Sequence, residues 1–120
     1  MTYINQFRLE ASLESLMARV RPDPSLRSRC DVCFRIIDDT FIIDLISPVA
    51  QEHTAALPYL KGVTFDGGVT WRLFEQQAGQ WDLAKQHNAF VSLEELLETA
   101  EQLIKTQMSL VMIKGEDHAA

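Results

Sequence analysis

The chain has 120 residues, 47% of them apolar and 23% charged. That length suits a single domain able to bury its own core without disulfides or a structural metal, and the composition excludes wholesale disorder. The formal charge of −6 disfavours nucleic acid and anionic membranes as partners and leaves a protein partner as the compatible class. No signal-peptide pattern opens the chain and no apolar run approaches a membrane span, so the expected location is the cytoplasm.

In chain order, Tyr3, Phe7 and Leu9 alternate with Gln6, Arg8 and Glu10, which predicts a short first strand. The period then changes. Leu13, Leu16, Met17 and Val20 share a helical face behind Ser12 as N-cap. Pro22 and Pro24 end that helix. The arginines from 19 to 29 belong to a solvated loop.

Residues 30–37 and 40–46 are rich in Val, Ile and Phe and flank Asp38-Asp39. A two-residue hairpin loop there pairs Ile36 with Phe41, Phe34 with Ile43 and Val32 with Leu45, placing six apolar residues on one face. The other face pairs Arg35 with Ile42 and Cys33 with Asp44. Ser47-Pro48 then reads as the start of a short helix ending before Pro58, with a stripe of Val49, His53, Ala56 and Leu57.

Gly62 to Ala84 reads as a three-stranded meander with turns at Asp66-Gly67-Gly68 and Gln77-Ala78-Gly79. A three-residue second loop sets Leu73 opposite Leu83 and Trp81 opposite Glu75. Trp71 and Trp81 then lie under the last helix, and Arg72 lies diagonal to Asp82. Ser92-Leu93-Glu94-Glu95 is a capping box. It opens a helix of about 20 residues with an apolar stripe ending in Met108, Val111 and Met112, and Gly115 is its natural stop.

The expected fold is thus α+β: a mostly antiparallel twisted sheet, made of a hairpin and a meander, packed by a long C-terminal and a shorter N-terminal helix. The order is β-α-β-β-α-β-β-β-α, with residues 1–115 as one domain and 116–120 as a flexible tail.

The chemistry-bearing residues do not assemble into a catalytic motif. Cys30-Asp-Val-Cys33 has redox or zinc spacing. It runs into a strand, however, where residues three apart face opposite ways, so two thiols without a role are expected. Asp38 and Asp39 are explained as turn residues and Asp44 as a neighbour of Arg35. No metal ligand set or cofactor motif is present.

Two functional readings follow. The first is a non-enzymatic protein-binding module of adaptor, chaperone or toxin-neutralising type, acting as a homodimer. Its candidate interface is Phe74 and Arg72 on the polar sheet face, with Met108, Val111 and Met112 where the last helix outreaches the sheet. The outline is loosely similar to class I type III secretion chaperones, which combine an N-terminal helix, a twisted sheet and a long C-terminal helix. That likeness is one of architecture; the strand order differs and no motif identifies the family. The second reading is a small-molecule domain, with an enzymatic role open to it, whose pocket between sheet and helices takes His53, Tyr59 and Trp71 as walls.

Overall fold

The computed structural model describes residues 5–26, 30–50, 53–77, 79–84 and 89–118. It is an α+β fold in which a single antiparallel sheet is covered on one face by two helices. The first helix, α1 (Gln6–Val20), precedes strands β1 (Asp31–Ile37), β2 (Thr40–Ala50), β3 (His53–Thr64), β4 (Trp71–Gln77), β5 (Gln80–Leu83) and β6 (Ala89–Phe90). Helix α2 (Leu93–His118) closes the chain. The strands lie in the order β1-β2-β3-β4-β5, and β6 also pairs with β4. β5 takes the C-terminal half of that edge and β6 the N-terminal half.

The start of the chain differs from expectation. The helix begins at Gln6, where a strand had been expected. Asn5 caps it, its side-chain oxygen accepting from the Arg8 N–H at 3.1 Å. Leu9 thereby joins Leu13, Leu16, Met17 and Val20 in one buried stripe. Phe7, which alternation would have buried, is 87% exposed. Tyr3 lies outside the described residues. An amide cap about two turns earlier outweighs a short alternating pattern, because it adds helix whose Leu9 reaches the core.

The second difference lies between Ser47 and Pro58. Residues 47–50 form the end of β2 and residues 53–58 the start of β3, where a helix was expected. The β2–β3 register shifts twice, between Ile43 and Asp44 and between Pro48 and Ala50. Pro58 faces Asp44 at the first shift and Pro48 lies at the second. Proline is tolerated in strands at such irregularities, so both prolines mark bulges here and not helix ends. The tips of the two strands, residues 47–50 of β2 and 53–55 of β3, pair only with each other and form a short two-stranded arm.

The first hairpin has the expected register at every position from Asp31↔Ile46 to Ile37↔Thr40. Asp38 turns it with φ of 53°, a left-handed conformation that a short polar side chain tolerates. The β4–β5 hairpin is displaced by one residue. Gln77 pairs with Gln80, so Phe74 faces Leu83, Gln76 faces Trp81 and Glu75 faces Asp82. Gly79, at φ 81°, supports this tighter turn as well as the longer one. The slip moves Trp81 and Leu83 off the helix-covered face and puts Arg72 and Asp82 on opposite faces.

Leu13, Leu16, Phe41, Ile43, Leu60, Leu73, Leu96, Ala100 and Ile104 are fully buried between helices and sheet. The Phe41 ring lies over Gly62, its cross-strand partner, and packs on Trp71 with ring centroids 5.7 Å apart. Ser92 caps α2 through the Glu95 N–H at 3.2 Å. The helix runs past Gly115, the expected stop, to His118. Arg19 on α1 bonds Glu101 on α2, tying the helices together. No described helix is long and apolar enough to cross a membrane.

Candidate functional site

Because both helices lie on one side, no described element covers the other sheet face. Alternation along the strands places Cys33 and Arg35 of β1, Ile42 and Asp44 of β2, Lys61 of β3, Arg72, Phe74 and Gln76 of β4, and Trp81 and Leu83 of β5 there. Lys61 is the centre of this face. Its Nζ sits 5.3 Å from the Phe74 ring centroid and 4.7 Å from that of Trp81, a cation held between two π faces. Leu83 beside Phe74 is half exposed. At the β1 side, the Arg35 guanidinium donates to both oxygens of Asp44, at 2.9 and 3.2 Å. Asp44 is only 5% exposed, so Arg35 both neutralises and roofs it. Among the described residues, Lys61 and Arg72 are the charges on this face that form no ion pair, in a chain whose net charge is negative.

The expected site residues are thus divided. Phe74 and Arg72 share the open face, as expected. Met108 does not belong to an exposed helix end: it is 4% exposed within the single chain, packed against the sheet beside Tyr59. Its neighbour Leu110 is half exposed. The side chains of Val111 and Met112 lie outside the described residues, as does that of His53, which opens β3. Trp81 is the residue that sequence reasoning missed on this face; glycine at position 79, compatible with a two-residue loop, was the available signal.

Tyr59 and Trp71 line two different cavities at opposite ends of the molecule. Trp71, with its indole N–H donating to the Gly68 carbonyl at 3.1 Å, borders a cavity of about 460 Å³ beside the starts of both helices. Tyr59 borders one of about 420 Å³ at the other end, under the C-terminal part of α2. The bulge at Asp44 leaves Tyr59 without a partner on β2, and so Tyr59 and Leu60 are both buried. The Tyr59 hydroxyl donates to Glu75 and lies 3.4 Å from the Leu103 carbonyl. Burial, reinforced by the Glu75 carboxylate, pushes its pKa up, so it remains a neutral phenol.

Cys30 is buried at the entrance to β1 and Cys33 lies on the open face; both are free. Burial first, and then neighbouring aspartates, raises both thiol pKa values. Each is therefore held as a thiol, the weak nucleophile and weak metal ligand of the pair of forms. Among the described residues no group of three His, Cys, Asp or Glu side chains is placed to hold a metal ion. Comparison with protein-family models, curated proteins and solved structures finds no match to this chain.

Proposed function

We propose that this chain is a non-enzymatic protein-binding module whose docking surface is the open sheet face. The single observation carrying this reading is Lys61 between Phe74 and Trp81, bordered by Ile42 and Leu83. Large aromatics around a cation are the composition of interface hot spots, not of a solvated sheet face. Because Lys61 and Arg72 have no ion-pair partner among the described residues, a partner surface combining acidic and apolar groups fits best.

Selection from a displayed random peptide library tests this. Wild-type protein is expected to enrich peptides that pair Asp or Glu with large apolar residues, and the Lys61→Glu, Trp81→Ser double variant is expected to lose them. No enrichment, or enrichment that the variant retains, overturns the reading. A homodimer is the second reading, favoured by half-exposed Leu83 on a face that two copies could close sheet to sheet. Light scattering at high micromolar concentration separates the two: a dimer dispersed by Phe74→Ser and Leu83→Ser assigns the face to a second copy.

A further inference from the structure

The cavity beside Tyr59 forms where the sheet splits. β3 and β4 pair only from Leu60↔Glu75 onward. Beyond that pair Leu57, Pro58 and Tyr59 part from Gln76 and Gly79, and all five line the space between. Cys30, Leu45, Ile46 and Met108 make the rest of the wall mostly apolar, with Asp31 and the uncharged amide of Gln107 as its other polar members. A volume of about 420 Å³ lies within the range of small-molecule sites.

The polar lining defines what such a molecule carries. Asp31 is the one charged side chain on the described walls, and Arg21 pairs with it at 3.4 Å. No described cation faces the cavity, so an anionic ligand has nothing to offset its desolvation. Gln76 is different. Its Oε1 is buried with no hydrogen-bond partner among the described residues, a state that costs free energy until a donor arrives. The Tyr59 hydroxyl does not fill that role, since it donates to Glu75.

We propose that this cavity is a binding site for an uncharged, largely apolar small molecule with an N–H or O–H group that donates to Gln76. Gln76 comes from a strand position that alternation gives to the open face, but Lys61, Phe74 and Trp81 do not line the cavity, so either assignment can fail alone.

Indole and benzofuran make a matched test, equal in size, one carrying a ring N–H donor and the other a ring oxygen acceptor. Titration followed by ¹H–¹⁵N correlation spectra is expected to move the amides of Tyr59, Gln76 and Met108, with an indole Kd on the order of 1 mM for so small a probe. Benzofuran is expected to bind about fivefold more weakly, the worth of one hydrogen bond. Gln76→Leu is expected to bring the two affinities together, with the spectrum itself reporting that the variant is folded. Absence of indole binding to the wild-type chain, equal affinity for both compounds, or a preference that survives in Gln76→Leu would each overturn the proposal.

Discussion

At the scale of single residues, Gly62 illustrates how a residue without a side chain can be a packing requirement. A Cβ built on it would lie 2.2 Å from Cε1 and 2.3 Å from Cζ of the Phe41 ring. Phe41 is itself fully buried and braced by Trp71, so the ring has no empty direction in which to retreat. Gly62→Ala is therefore expected to destabilise the fold by about 1–3 kcal/mol, the usual range for overpacking; a lowered midpoint in chemical denaturation with an unchanged slope checks it. The buried Asp44 follows a different logic. It sits on the open face but beneath Arg35, so its burial serves a bidentate ion pair and not the core.

At the scale of elements, the two helices differ in how their starts were encoded. Ser92 opens α2 with a side chain that accepts the Glu95 N–H. Ser92→Ala is expected to cost about 1 kcal/mol, read as a lower thermal midpoint with little change in far-ultraviolet dichroism. That cap, the inner faces of β1 and β2 and the turn at Asp66 were legible because each rests on local chemistry or strict alternation. The first helix was not, since Asn5 and Ser12 are both competent caps and only the tertiary role of Leu9 decides between them. The β2–β3 arm was not, because Pro48 and Pro58 carry the same signal whether they end a helix or mark a bulge. The site suffered most from a single ambiguity. Gly79 serves two loop lengths: the longer would bury Trp81 and Leu83 under the helices, and the shorter, which the chain adopts, sets them beside Phe74 and Lys61. Phe74 and Arg72 survived because β4 alternates cleanly on its own.

At the scale of the whole molecule, acid should loosen the structure through identifiable carboxylates. The Arg19 side chain, and secondarily Lys105, holds Glu101 below its ordinary value of 4.5. The Thr70 backbone N–H does the same for Asp66, whose ordinary value is 3.8. A carboxyl with a lower pKa folded than unfolded contributes stability that is complete above the unfolded value and disappears as pH falls through the folded one. Glu101→Gln removes the first contribution at every pH. Its stability deficit relative to wild type is thus expected to be present at about pH 6 and to shrink toward about pH 3. Urea denaturation of both proteins across that interval measures it, and high salt should reduce the deficit because the pair is near the surface.

The borders of the sheet carry a last consequence. On the β4 side the edge is completed by two short pieces from separate stretches of chain, four residues of β5 and two of β6. On the β1 side, the Val32 N–H is occupied by the Asp31 carboxylate at 2.8 Å, and its carbonyl lies 3.5 Å from the Arg21 guanidinium. Among the described residues the β4 margin is thus broken into short pieces, and the β1 margin is blocked at Val32, which shortens the run of donors and acceptors open to an incoming strand. Such margins oppose rim-to-rim growth of copies into fibrils while leaving the proposed docking face free.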